Sequence, residues 1–325
     1  MRAIRYHEFG GPEVLSLDSV PTLDPAADEV RVQVVAAGVN PCDALRREGL
    51  WGDRLPLIPG SDLAGVVTAV GSESGYEVGD RVFGTVPMLN VSGSRGDRQG
   101  TYAEEIVVRT DRLASLDDGI SFAQGAAVGL VGCTAWRGLV EFGGLQPGGT
   151  CLIHGGTGGV GHVAVQLAAA MGATVVATAH PDRLDDLVAF GADHALDYAD
   201  ADALVAAVDA LAHPPEVVFD HMFGAHAGVD IEVVAPGGSV VVIGGNHDQP
   251  RIPDLTAAIG KDVTIQPFDV FNLAHIDRVL HHLSTLLASG ALTVEVARRY
   301  ALDEAAAAHR AVVDERFVGK LVIEP

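Results

Sequence analysis

An α/β fold in two units is predicted by three features of the 325-residue chain. Short β-type runs broken by Gly, Pro and Asp fill roughly the first 120 residues, the texture of a compact all-β unit. From residue 123 apolar strands alternate with helices, which indicates a parallel sheet covered on both faces. After residue 265 the texture turns back toward that of the first unit. The expected division is therefore 1–122 plus 266–325 for the β-unit, and 123–265 for a doubly wound parallel-sheet unit.

In the β-unit, EVRVQVVAAG (29–38), DLAGVVTAVG (62–71), GDRVFGTV (79–86) and TYAEEIVV (101–108) are the strands. Between them NVSGSRGDRQG (90–100) is polar and Gly-rich, and is expected to be a mobile loop. AQGAAVGLVGCTAWRGLVEF (123–142) is a helix of small residues. Strands TCLIHG, TVVATA, HALDY, EVVFDH and GSVVVIGG then alternate with helices at 158–172, 182–191 and 200–211, and with a short one after 221. The tail holds strand DVTIQPFDV, a helix near 273–289, strand TVEVARRY, helix DEAAAAHRAVVD and strand KLVIEP.

Composition excludes several functions. Forty-three acidic residues face twenty-one Lys and Arg, a net charge of −22, and only Lys261 and Lys320 are lysines. That field repels nucleic acid and anionic membranes, so neither is an expected partner. The acidity fits a GC-rich coding bias or a protein from a high-salt cytoplasm, where screening makes an acidic surface a solubility device. No apolar run approaches the roughly 18–20 residues of a membrane span. MRAIRYHEFG lacks the apolar core of a secretory signal. Cys42, Cys133 and Cys151 make no disulfide framework, and a cytoplasmic location is expected.

The strongest motif lies in CLIHGGTGGVGHVAVQLAAAMGATVVATA. Gly156, Gly158 and Gly161 spell G-x-G-x-x-G between an apolar strand and a helix, the context a dinucleotide site requires. The first glycine is expected to allow the tight turn, the second the approach of a pyrophosphate, the third close helix packing. Where the next strand ends, an NAD site would carry an acid for the ribose hydroxyl. Here Thr178-Ala179-His180-Pro181 stands there, with Asp182 and then Arg183 following. Arg183 suits a 2′-phosphate, so NADPH is the expected cofactor; the plainer alternative makes Arg183 a solvated helix-start cation.

GVNPCDALRREG (38–49) poses a separate question, because Cys42 beside Asp43 suggests either a metal corner or a packed turn.

Taken in order, GVNPCDALRREG, PLIPGSDLAGVVTAVG, GDRVFGT, GTYAEE, LVGCTAW, GGTGGVGHVAVQLA and FVGKLVI resemble the medium-chain dehydrogenase/reductase superfamily. They are most similar to its zinc-independent quinone oxidoreductase (zeta-crystallin) branch. The resemblance spans nearly the whole chain. It implies a GroES-like β-domain built from both chain ends, a Rossmann domain between them, a cleft where the two meet, and a homodimer paired near DVTIQPFDVF. It also places Asn40, Ser61 and Leu130 where zinc members carry Cys, His and Cys, so no metal is expected. Cys42 then becomes a packing residue.

By the same resemblance Asn40 and Asp43 line the nicotinamide cleft, with Asn40 a donor to the cofactor amide or the substrate carbonyl. Trp51 supplies an aromatic wall, while Leu45 stands where a tyrosine is common. Thr134 contacts the cofactor. Gly158, Gly159, Val160 and Gly161 hold the pyrophosphate, and Arg183 and Tyr198 bracket the 2′-phosphate. Gly244-Gly245, Phe268 and Phe271 pass near the adenosine and nicotinamide, and Lys320 reaches the cofactor side. The implied activity is hydride transfer from NADPH to a quinone or other α,β-unsaturated carbonyl. An enoyl-thioester reductase and an NADPH-binding protein with little turnover are the alternatives.

Overall fold

A computed structural model describes residues 1–52, 54–87, 100–244 and 250–325. The loop expected over 90–100, apart from Gly100, and Gly245 lie outside the described residues. The chain divides into two units, 1–133 with 274–325, and 134–273.

The first unit opens with an antiparallel pair, β1 (Arg2–Arg5) and β2 (Ser16–Ser19). The long β3 (Glu29–Val39) follows, then α1 (Pro41–Arg47), β4 (Asp62–Val70), β5 (Arg81–Thr85), β6 (Glu105–Arg109), β7 (Leu113–Ser115) and α2 (Phe122–Trp136). β3 alternates buried Val30, Val32 and Val34 with more exposed residues, the period of a half-buried strand. α1 begins where its sequence says it should: Asn40 is the N-cap and Pro41 the first helical residue. Asp43, three beyond the cap, accepts the Asn40 backbone N–H at 2.8 Å, and Arg46 and Arg47 close the last turn.

The second unit carries β8 (Thr150–Ile153), α3 (Gly161–Ala170), β9 (Thr174–Ala179), α4 (Leu184–Ala189), β10 (His194–Asp197) and α5 (Ala201–Asp209). β11 (Val217–Asp220), α6 (Phe223–Val233), β12 (Ser239–Val242), α7 (Leu255–Gly260) and β13 (Thr264–Pro267) complete it. Its six strands are all parallel in the order β10-β9-β8-β11-β12-β13. That is the doubly wound order, with the chain reversing direction of growth between β8 and β11. Leu152, Val176, Val218 and Val240, one from each of four strands, form its core with Leu204 and Val208 of α5.

The chain then returns to the first unit through α8 (Ile276–Ser289), β14 (Val296–Ala301), α9 (Ala305–Asp314) and β15 (Lys320–Glu324). The main sheet there runs β14-β15-β3-β4-β5-β7, with β6 also on β3. β15 lies antiparallel to β3, Leu321 opposite Val39, which brings Lys320 to Asn40 across most of the sequence. α9 and the turn before it pack Leu302, Ala305 and Ala308 into the same core as Val30, Val32, Leu63 and Ile323.

The GroES-like plus Rossmann architecture is thus present, but the divisions fall later than the expected 122/123 and 265/266. The reason is α2: the Leu130 N–H donates to Asp62, and Gly132 packs against Leu283, so the helix up to Cys133 belongs with the first unit. β1, β2, β7, α1 and α7 are elements that the sequence pattern did not announce.

Candidate active site

In the second unit the residues expected to hold a nucleotide gather at one edge. Because the six strands are parallel, the glycine loop after β8, Arg183 after β9, Tyr198 after β10, Gly244 after β12 and Phe268 after β13 all follow carboxyl ends. That edge, beside the β8/β11 reversal, is where open α/β sheets bind ligands.

The roles within the glycine loop differ from the expected ones. Gly155, not Gly156, takes the left-handed turn, with φ of 66°. Gly156 is buried, and a Cβ there would come 2.6 Å from Leu187 of α4. At Gly161 a Cβ would lie 2.1 Å from the Gly155 carbonyl oxygen, so this glycine lets α3 start against the turn. Gly158 faces nearly open space, where a Cβ would meet only the Gly155 oxygen at 3.3 Å. That space, directly before the N–H groups and positive end of α3, fits a pyrophosphate.

At the end of β9, Arg183 is half exposed and only loosely paired with Asp186 at 3.7 Å. Tyr198 is also half exposed, and its backbone N–H donates to Ala179 at 3.0 Å. The His180 and Tyr198 rings stand 6.2 Å apart, so the tip of β9 carries an imidazole, a phenol and a guanidinium. Phe268 packs its ring on Phe142 at 5.3 Å, Phe271 is partly buried, and Thr134 is buried on α2.

In the first unit, Asn40, Asp43 and Lys320 do come together, but facing each other. Lys320 is 2% exposed; its ammonium donates to the Val39 carbonyl at 2.7 Å and to Asn40 Oδ1. The Asn40 amide nitrogen donates to Asp62 Oδ2 at 2.8 Å, with Ser61 Oγ at 3.5 Å. Asp62 Oδ1 accepts the Leu130 N–H at 2.6 Å. Asp43 Oδ2 accepts the Asn40 N–H and, at 3.2 Å, the Tyr102 hydroxyl.

Both ends of the Asn40 amide are engaged inside the unit, and the Lys320 ammonium is engaged with it. Burial raises both carboxyls, Asp43 to about 7, while the Lys320 charge and the hydrogen bonds act against that rise. Burial also lowers Lys320, and Asp62 and Asp43 oppose that change. Of the positions of zinc ligands in the resemblance, Asn40 and Leu130 donate to the Asp62 carboxylate and Ser61 lies against the Asn40 amide. Cys42 is half-buried on α1, and among the described residues no three His, Cys, Asp or Glu side chains converge as a ligand set. Trp51 stands apart, 49% exposed in the turn after α1.

Missing from the expected site are Asp62, Tyr102 and a second polar cluster, His154, Asp220, His226 and Asp230, in the parallel-sheet unit. The one signal for the last was the unusual density of His and Asp in FDHMFGAHAGVD (219–230), at the end of a buried strand.

A β-unit of this kind and a parallel sheet bearing a G-x-G-x-x-G loop fit a nucleotide-dependent dehydrogenase or reductase. Comparison with known proteins narrows the class. Residues 26–118 match the alcohol dehydrogenase GroES-like domain and 159–285 the zinc-binding dehydrogenase family. A quinone oxidoreductase of Pongo abelii is 30% identical, over 99% of this chain and 97% of its own. A 2-methylene-furan-3-one reductase of Solanum lycopersicum is 33% identical, over 100% of this chain and 79% of its own. The Escherichia coli quinone oxidoreductase solved with NADPH superposes with a TM-score of 0.88, at 26% identity over the whole of both chains. The chain belongs to the medium-chain dehydrogenase/reductase superfamily, in its zeta-crystallin-like quinone oxidoreductase branch. It is an oxidoreductase of that family with an NAD(P)-binding Rossmann unit. Among the described residues no helix is long and apolar enough to cross a membrane.

Proposed function

We propose that the chain is an NADPH-dependent reductase that passes hydride to a quinone or another α,β-unsaturated carbonyl without a metal. The observation that carries the cofactor choice is the tip of β9. His180, Arg183 and Tyr198 cluster there, and no acid stands at the ribose position before Asp182, whose carboxylate is largely exposed. A guanidinium at the tip of that strand favours a 2′-phosphate dianion over a bare hydroxyl pair. The NADPH-bound relative from Escherichia coli supports the same choice.

When bound, the reduced nicotinamide supplies a hydride, accepted at a quinone carbonyl or the β-carbon of an enone. The chain's share is positioning and charge. The open side of Gly158 and the start of α3 hold the pyrophosphate. Lys320 and Asp62 fix Asn40 and the end of β3, while Asp43 caps α1, and Trp51 stands exposed in the turn that follows. Its aromatic face suits a planar acceptor. The product's proton comes from water in this account.

The tomato relative, whose printed name is that of an enone-type reductase, favours the enone arm. A bulky CoA thioester would want cations at its phosphates, and the chain has two lysines, one of them buried. Pairing of two copies through the second unit is supported by β13 at the sheet edge and by Leu255 and Ile259, exposed one turn apart on α7. Kinetics with Arg183→Ala test the cofactor assignment. KM for NADPH should rise about tenfold or more while KM for NADH stays put. An equal effect on both nucleotides contradicts it.

A further inference from the structure

The parallel-sheet unit holds a four-member chain of titratable groups, His154, Asp220 and Asp230 buried and His226 partly so, that hydride transfer does not require. His154, the last residue before the Gly155 turn, sends Nδ1 to Thr178 Oγ1 at 3.2 Å and Nε2 to Asp230 Oδ1 at 2.9 Å. Thr178 Oγ1 also receives the Gly155 N–H at 3.3 Å, and the Thr178 carbonyl takes the Gly156 N–H at 2.8 Å. The His226 ring stacks on His154 at 4.2 Å, and its Nδ1 meets Asp220 Oδ1 at 2.9 Å. Oδ1 of Asp220 also caps the Met222 N–H at 2.9 Å. His221 covers the turn: a Cβ on Gly155 would strike its imidazole at 2.5 Å. Every member sits at the carboxyl end of β8, β9 or β11, or on α6 just after β11, beneath the pyrophosphate loop.

We propose that His154, Thr178, Asp230, His226 and Asp220 are positioning residues. They hold the Gly155 turn in its cofactor-receiving shape and couple cofactor binding to a proton taken up by the cluster. This rests on the nucleotide site described above, and adds to it a proton linkage. Burial drives His154 down to about 4, so it is neutral and lends an uncharged hydrogen bond to the turn. Burial would lower His226 as well, but the Asp220 hydrogen bond and charge overcome it and raise this imidazole. Burial and the neighbouring Asp220 push Asp230 well up, so it keeps its proton, while Asp220 is held down by His226 despite its burial. His226, partly exposed and hydrogen-bonded to Asp220, is therefore the member of the cluster placed to take up a proton.

The groups acting on His226 are Asp220 and Asp230; His154 and His221 complete the set at this edge. From the packed elements, α5 brings the exposed Asp202 and Asp209. Lys261 is tied to the Glu232 and Val234 carbonyls at the far end of α6, and β12 carries no charge. An imidazolium at 226 adds positive charge under the loop. A pyrophosphate should therefore bind more tightly in the protonated state, and by linkage its binding raises proton affinity there.

The test is a titration of the full chain with NADH and NADPH by nicotinamide fluorescence, over roughly pH 5 to 8 where imidazoles titrate. NADH carries no 2′-phosphate to titrate, so its Kd in the unaltered protein should rise about fivefold or more with pH. His226→Gln should flatten that dependence for both nucleotides. Asp230→Asn, which keeps the shape, should shift its midpoint, and His309→Gln in the other unit should leave it alone. A flat NADH profile in the unaltered protein overturns the linkage, as does an unchanged profile in His226→Gln. Tighter binding of NADH than NADPH would contradict the cofactor assignment while leaving the pH profile to judge this proposal.

Discussion

Each unit buries a pair of carboxylates, and each answers the cost differently. In the β-unit Asp43 and Asp62 are accompanied by Lys320, an ammonium gripped by Val39 and Asn40. In the parallel-sheet unit Asp220 and Asp230 are accompanied by two imidazoles, His154 and His226. A buried ion is tolerated only when paired and hydrogen-bonded. Lys320 fixes the shape of the corner where β3 runs into α1, its ammonium tied to Val39 and Asn40. Imidazoles leave the charge adjustable. A corner that only has to be rigid uses the first solution, and a loop that receives an anion uses the second.

The comparison breaks most directly at Lys320. Lys320→Met leaves Asp62 without its counter-charge and should cost about 3–5 kcal/mol, read as a drop in the urea midpoint. A loss of under about 1 kcal/mol would mean that hydrogen bonds alone hold the corner.

Acid sensitivity sharpens it next. His309, whose Nδ1 lies 3.1 Å from an Arg47 nitrogen, is held down to about 3 by burial and that guanidinium. Its folded value lies below the unfolded one of 6.5, so the unfolded state binds the proton first. The stability it supports is complete above 6.5 and falls by about 1.4 kcal/mol per pH unit as pH drops toward 3. His309→Gln should flatten that slope in acid denaturation. His154→Gln should do the same down to about 4, where His154 titrates.

Asp43 has the opposite sign. Its folded value of about 7 exceeds the unfolded 3.8, so the contribution is greatest below 3.8 and declines as pH rises through 7. Asp43→Asn should therefore be nearly neutral at low pH and stabilising by about 1 kcal/mol or more in mild alkali, measured as Tm against pH. The smallest effect belongs to Arg183. Its loose surface pair with Asp186 should contribute under about 0.5 kcal/mol, so Arg183→Ala should change nucleotide preference with almost no change in Tm.

Much of the fold was legible because it is local. The alternation in EVRVQVVAAG, the buried runs TCLI and TVVATA, and the glycine loop all carry their periods within a few residues. The doubly wound order followed from strands alternating with helices. β1 and β2 were not legible, since RAIR and SLDS show no clear period and pair only through the fold. The helix α1 was masked by the metal-like Cys42-Asp43 pair, although Asn40, Pro41 and Asp43 form a start signal. The two polar clusters were illegible for a different reason. Lys320 meets Asn40 280 residues away and His154 meets Asp230 76 residues away, so no local pattern announces either contact. The turn glycine was misplaced by one residue because Gly155 and Gly156 are adjacent, and only the backbone angle separates them.

The central claim is metal-free reduction of an activated carbonyl by NADPH. It is tested most directly by following NADPH oxidation with 1,4-benzoquinone, a simple enone and crotonyl-CoA, at low and molar salt, with and without a strong chelator. The account predicts turnover on the quinone or the enone, unaffected by the chelator and exceeding that on the thioester. Tight NADPH binding without turnover on any acceptor, or activity lost to the chelator and restored by zinc, would contradict it.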